Sequence, residues 1–253
     1  MIGCIIQARM GSSRLPGKVL LNLDQTNTML DYVISQLKNC KFIDKIIVAT
    51  TNLKEDKAIV TFCKKNKINF FIGSSEDVLD RYYQCAKIFS ISTVVRITAD
   101  CPLVDPNIVD KLISKYIHNS FDVVVTHHPR SFPHGIADIE IFSVNLLEKI
   151  WKDAKKPSER EHVTLYFYNN RDKFKVFNFK NNANLSKIKL SVDRNEDLEL
   201  VKKIIQHINN RPILISNILH LFKKNPEFFK INSDFILDEG LQKSLKEDKI
   251  LGF

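Results

Sequence analysis

Residues 1–18 read MIGCIIQARMGSSRLPGK. An apolar run, Ile2 to Ile6, stops at Gln7-Ala8. It passes into a loop that holds three cations (Arg9, Arg14, Lys18), two glycines (Gly11, Gly17), two serines (Ser12, Ser13) and a proline. A short buried strand feeding a glycine-rich cationic turn presents backbone N–H groups and positive charge to phosphate. The blander reading is an ordinary strand followed by a solvated basic turn. A Walker loop is excluded, because that motif needs four residues between its glycines and then Lys and Ser/Thr. Here five residues separate Gly11 from Gly17, Pro16 has no N–H, and Val19 offers no oxygen to Mg²⁺. A nucleotide bound at this loop needs its metal held by carboxylates from elsewhere in the chain.

Outward from that stretch, strands alternate with helices. Leu30, Val33, Ile34 and Leu37 recur at helical spacing over 29–39. The run at 45–50 reads as a buried strand, 55–65 as a helix, 69–72 as a strand and 78–89 as a helix, and TVVRI at 93–97 is the next strand. This alternation predicts a mainly parallel sheet, with ligands bound beyond the carboxyl ends of its strands. Arg9, Thr51, Ser74 and Asp100 all fall at such ends. In the second half, Asp105-Pro106 opens a helix over 107–119. Strands are expected at 122–126, 139–142, 174–179 and 187–192, and helices at 144–154, 159–169 and 195–207. From Pro212 the pattern becomes a helical extension, with a short helix at 239–249.

Composition bounds the class. The 253 residues are 44% hydrophobic and 26% charged, which is ordinary for a soluble globular chain. The net charge of +9 suits anionic partners, but the lysines are scattered among acidic residues with no basic block, so a nucleic-acid tail is not expected. The phenylalanines follow core periodicity rather than interleaving with a basic stripe. Five unpaired-looking cysteines suggest free thiols in a reducing compartment. No stretch reaches membrane-spanning length, and the first residues read as a core strand rather than a signal peptide. The expectation is a cytoplasmic protein with neither membrane nor nucleic-acid partners.

The string IIQARMGSSRLPGKVL (5–20) resembles the signature loop of the cytidylyltransferase family, which includes CMP-KDO synthetases and the SpsF-type spore-coat polysaccharide proteins. The likeness runs through most of the chain. It implies an α/β, Rossmann-like (GT-A-like) nucleotidyltransferase domain: a three-layer sandwich over 1–211, with a helical extension at 212–253. It also implies CTP as donor, Mg²⁺ as cofactor, a small anionic or sugar acceptor and a homodimer, for which residues 122–179 offer an interface.

Four stretches carry the expected chemistry. TADCP follows the fourth strand. Asp100 reads as a helix-starting Asp or a metal carboxylate, and the resemblance, through the family's Asp-x-Pro element, implies the metal. Asp193, between KLSV and a helix, is by its residues alone best read as an N-cap. The resemblance implies the second metal ligand, although Arg194-Asn195 stands where the family has Thr-Pro. GSSEDVLDR (73–81) resembles the segment lining the nucleotide pocket, which implies roles for Ser74 and Arg81. With Gln7, Ala8, Arg9, Gly11, Ser12, Ser13, Arg14, Lys18 and Asp100 they form the expected nucleotide site; Arg14, Lys18 and Asp100 are the catalytic set. On the acceptor side, PHGIADIE (133–140) resembles an SpsF-type G-L-D-V-E element with an extra residue at Ala137. Asp138 and Glu140, alternating along a strand, are expected to face the acceptor together with His162 of Arg160-Glu161-His162.

The implied reaction is attack of an acceptor oxygen on the α-phosphorus of a nucleoside triphosphate, with pyrophosphate leaving. It asks for in-line positioning and charge neutralisation. Acceptors in this family are often acids, for which no strong general base beyond the metal is required. Three alternatives stay open on the sequence: cytidylyl transfer to a phosphorylated polyol or other small phosphate, use of another base, and a non-catalytic nucleotide-binding scaffold.

Overall fold

The apolar runs pair as their positions imply. In the computed structural model, which describes residues 1–236 and 239–253, β1 (Ile2–Gln7) lies between β2 (Lys45–Thr51) and β4 (Thr93–Thr98), and β3 (Asn69–Gly73) flanks β2, all parallel. β6 (Glu140–Ser143) is antiparallel to β4. β5 (Val123–Val125) then pairs antiparallel with β6, and β7 (Val176–Asn178) parallel with β5. The sheet order is β3-β2-β1-β4-β6-β5-β7. Ile5 and Ile47 face one side of this sheet and Cys4, Ile6 and Val48 the other, so a separate apolar cluster forms on each face.

Helices cover both faces, giving three layers. One layer is α1 (Met29–Leu37), α2 (Lys57–Lys65), α4 (Pro106–Ile117), α8 (Asn195–His207) and α9 (Ile215–Lys224). The other holds α3 (Val78–Ile88), α5 (Val144–Asp153) and α7 (Leu165–Asn169). Local signals set the starts. Thr28 and Asp31 form a reciprocal capping box on α1, and Asp105 caps α4 with Pro106 at its first position. The stretch after Pro212 is tied into the first layer. The Gln36 amide donates to the carbonyls of Val104 (3.0 Å) and Ile213 (2.6 Å) and accepts from the Ile213 N–H.

Two expected elements differ. The helix expected over 159–169 is two, α6 (Pro157–Glu161) and α7, broken where Val163 takes φ 53. A β-branched residue adopts that conformation only under tertiary constraint. Here the break buries Val163 and turns the Thr164 hydroxyl onto Glu140. The strand expected at 187–192 makes a single bridge, His134 to Lys189. A ladder cannot continue, because the Val192 N–H donates instead to the Asp100 carbonyl (2.9 Å) and the Ile136 carbonyl takes the Asp105 N–H (2.9 Å). That diversion carries residue 193 to the end of β4. Gly135 makes it possible: its φ is +82, and a Cβ there would lie 2.3 Å from the Ser191 nitrogen.

Arg96 on β4 and the buried Glu140 on β6 are register partners in the sheet. Arg96 Nη1 donates to Glu140 Oε2 (2.6 Å) and Nη2 to Gln7 Oε1 (2.9 Å). The Thr164 and Tyr168 hydroxyls donate to the other Glu140 oxygen, and His127 Nε2 lies 3.1 Å from it. Burial alone would raise the Glu140 carboxyl, but Arg96 and His127 outweigh it and hold it far below the usual carboxylate range. Removing one partner leaves a buried charge uncompensated.

Glu140→Gln is therefore expected to cost about 3–5 kcal/mol in urea unfolding at pH 7. The native carboxyl is depressed, so its contribution is complete above the unfolded value of about pH 4.3 and shrinks on further acidification. The gap between the two proteins should narrow between pH 5 and pH 3 (about these values); a constant gap would contradict an ionised, paired Glu140. Gly135→Ala should lose on the order of 3 kcal/mol, and unfolding within about 0.5 kcal/mol of the parent would show that the 133–136 turn tolerates a Cβ.

Candidate active site

The carboxyl ends of β1 and β4 open onto a cavity of about 780 Å³. Its floor is Gln7, Ala8, Thr98 and Asp100, and its near wall is the loop of Arg9, Gly11, Ser12, Ser13, Arg14 and Lys18. The loop is shaped by its backbone. The Met10 carbonyl accepts from the amides of Ser12 and Gly17 (both 2.9 Å), and Gly17 takes φ 70 ahead of a single 3₁₀ turn, Lys18–Leu20. Of the amides expected to meet phosphate, those of Gly11 and Ser13 have no partner among the described residues, whereas that of Ser12 is taken by Met10. Behind the loop, buried Asp56 accepts from the Met10 N–H (2.6 Å) and the Thr51 hydroxyl. It fixes the loop to the end of β2.

Three chain segments meet at the Lys18 ammonium. Its Nζ donates to Asp100 Oδ2 (3.0 Å), Asp193 Oδ1 (2.9 Å) and the Val192 carbonyl (2.7 Å). Arg14 Nη2 donates to the same Asp193 oxygen (2.7 Å), and Lys189 lies 3.3 Å from the other. Burial pushes the Asp193 carboxyl up, but Lys18, Lys189 and Arg14 together hold it well below the ordinary range. Burial lowers the Lys18 ammonium and the two carboxylates more than restore it, so its pKa ends raised. Both partners stay charged at neutral pH. Asp193 is not the cap of α8. Arg194 takes the N-cap position, and Asp197, in the first turn of α8, accepts from the amides of Asp193 and Arg194, which leaves the Asp193 side chain to face the cavity.

The pair Asp100 and Asp193 fits a hard divalent cation in its donor chemistry. Two carboxylates converge on one point that a cation already holds, and among the described residues no third His, Cys, Asp or Glu joins them as a cluster. Such a site leaves the remaining coordination to water and phosphate oxygens, as Mg²⁺ prefers.

Several expected residues lie elsewhere. Arg81 is 1% exposed and donates to the Ser74 carbonyl (2.6 Å), while the Ser74 hydroxyl accepts from the Asp77 N–H (3.0 Å). Both brace the turn into α3, and neither lines the cavity. Glu140 is enclosed in the Arg96 network, and β6 begins at Glu140, so Asp138 precedes the strand rather than alternating with it. Asp138 does line a smaller cavity of about 180 Å³ beside Arg14, with Arg130, His134, Lys189, Ser191 and Arg194. There it pairs with Arg130 and accepts from the Gly135 N–H (2.9 Å). Burial raises its carboxyl, and Arg130 and His127 bring it below the usual value. His162 ends α6, with Nε2 3.0 Å from the Ser244 hydroxyl of the C-terminal helix α10 (Glu239–Ile250), away from this smaller cavity. Asp56, Arg130, Lys189 and Glu239 were not legible in the sequence, where they are ordinary loop, strand and helix charges.

All five cysteines are free, and no helix among the described residues is long and apolar enough to cross a membrane. A family model described as "Cytidylyltransferase" matches residues 3–231. An uncharacterized protein of Methanocaldococcus jannaschii is 41% identical over 91% of this chain and 93% of its own length. The spore coat polysaccharide biosynthesis protein SpsF of Bacillus subtilis is 32% identical over 88% of this chain and 94% of its own. A 3-deoxy-manno-octulosonate cytidylyltransferase of Lawsonia intracellularis is 26% identical over 85% of each. The solved structure of a cytidylyltransferase from Leptospira borgpetersenii superposes with a TM-score of 0.86 at 36% identity, covering 93% of this chain and 98% of that one. The chain has the α/β nucleotidyltransferase fold and belongs to the cytidylyltransferase family of nucleotidyltransferase enzymes.

Proposed function

We propose that this enzyme transfers CMP from CTP to a sugar or sugar acid, with release of pyrophosphate, in the synthesis of a surface polysaccharide. The observation that carries the reading is the meeting of Lys18 with Asp100 and Asp193 within 3.0 Å, at the mouth of the glycine-rich loop. Family membership supports CTP as donor. The relative named for spore-coat polysaccharide synthesis and the octulosonate cytidylyltransferase support a sugar acceptor. The smaller cavity, with Arg130, Lys189 and Arg194 on its wall, suits a carboxylate-bearing one.

In this reading the Gly11 and Ser13 amides and the Arg14 guanidinium bind the phosphate chain, with Arg14 able to engage two oxygens at once. Lys18 neutralises charge as the bond to the α-phosphorus breaks and pyrophosphate departs. Asp100 and Asp193 hold Mg²⁺, which when bound supplies electrophilic stabilisation of the phosphate oxygens. Asp138 stays ionised against Arg130 and orients that cation toward the acceptor rather than supplying a proton. The substrate oxygen is thereby aligned with the phosphorus by charge and position.

Titration calorimetry with CTP, UTP, ATP and GTP in the presence of Mg²⁺ should show selective CTP binding. Asp100→Asn should weaken it and lower pyrophosphate release with sugar acids by about 10²-fold or more. Turnover retained within a few-fold in Asp100→Asn would remove this carboxylate from the mechanism. Binding of no triphosphate at all would leave the non-catalytic scaffold as the better account.

A further inference from the structure

The far wall of the nucleotide cavity is made by α10, which follows the stretch matched by the family model. Its docking is polar. Among its described residues only Ser244 and Asp248 are buried. The Ser244 hydroxyl donates to Glu161 (2.9 Å), and Asp248 accepts from the Ser158 N–H (3.0 Å) and hydroxyl. The apolar side chains Leu245, Ile250 and Leu251 stay exposed. A helix held by a few hydrogen bonds, with little apolar area buried, separates at modest cost.

At the first residue of α10, the Glu239 carboxylate lies between two guanidiniums. It is 2.8 Å from Arg14 Nη1 and 3.2 Å from Arg194 Nη2. Arg14 is thus shared by two carboxylates, Asp193 on the cavity floor and Glu239 on the lid. Glu239 is the more exposed of the two, so it is the one that yields more readily to a competing anion.

We propose that α10 is a displaceable cover over the nucleotide cavity, and that Glu239 occupies Arg14 and Arg194 in place of phosphate until a triphosphate takes them over. The proposal rests on reading this cavity as the nucleoside triphosphate site. A polyphosphate competes for the same donors with more charge and more acceptor oxygens than one carboxylate. On its arrival the Glu239 contacts break, and the remaining polar hold on α6 decides how far the helix swings.

The test is calorimetric titration of CTP–Mg²⁺ and of inorganic tripolyphosphate into wild type and Glu239→Gln, with amide hydrogen exchange of α10 followed before and after CTP. Glu239→Gln is expected to bind both ligands on the order of three- to tenfold more tightly, and CTP should speed exchange in α10 of the wild type. Equal or weaker binding by the variant, while wild type binds CTP, overturns the cover alone and makes Glu239 idle or an aid in positioning Arg14. Unchanged exchange in α10 on CTP binding likewise overturns it. If neither protein binds either ligand, the nucleotide reading falls and the cover falls with it.

Discussion

The buried ammonium of Lys18 is the constraint on which the site depends. Two carboxylates drawn close together repel each other unless a cation lies between them, and Lys18 lies between Asp100 and Asp193. The arrangement unites the first loop, the end of β4 and the segment entering α8, which are far apart in the chain. It also stores the right electrostatics for phosphate chemistry. The carboxylates are aimed at one point, with Asp193 held ionised by the cations around it, and cations from the loop border the same cavity. In the proposed reaction a divalent ion and a triphosphate would add to such a site without new charges having to be desolvated at the moment of reaction.

That meeting is held from behind by polar groups that line neither cavity. Asp56 ties the loop to β2 through the Met10 amide and the Thr51 hydroxyl. Arg96 and Glu140 lock β4 to β6 and fix the Gln7 side chain at the cavity floor. Asp197 holds the turn at Asp193 and Arg194 by their amides and pairs with Lys189. Asp56, Glu140 and Asp197 are buried carboxylates, each accepting two or more hydrogen bonds, an arrangement that rigidifies the geometry around it. The position of Asp193 is thus determined by backbone contacts, the Val192 amide on the Asp100 carbonyl above all.

The cavity is bounded on its other side in a different way. The floor and loop are built on strands of a close-packed sheet, whereas α10 is attached to α6 through serine, aspartate and glutamate. Rigid and displaceable walls around one cavity reconcile two demands on a transferase. The reacting groups must be held still, and nucleotide and pyrophosphate must pass.

The sequence alone determined the strands and helices of the first half, because apolar periodicity and capping residues are local properties. Asp105-Pro106 and the unbroken run at 45–50 report their structure without reference to the rest of the chain. It also determined that Arg9, Thr51, Ser74 and Asp100 fall at the carboxyl ends of strands, as a parallel alternation requires. Only the tertiary structure decided that Asp193 faces the cavity while Asp197 secures the first turn of α8, and that the 187–192 stretch runs past the sheet to the Asp100 carbonyl. It likewise decided that Glu140 and Arg81 are internal braces, and that Glu239 reaches Arg14 across more than two hundred residues. These outcomes turn on which donor a carboxylate finds in three dimensions. Charge and burial set that choice between distant segments, and neither is written in the spacing of residues along the chain.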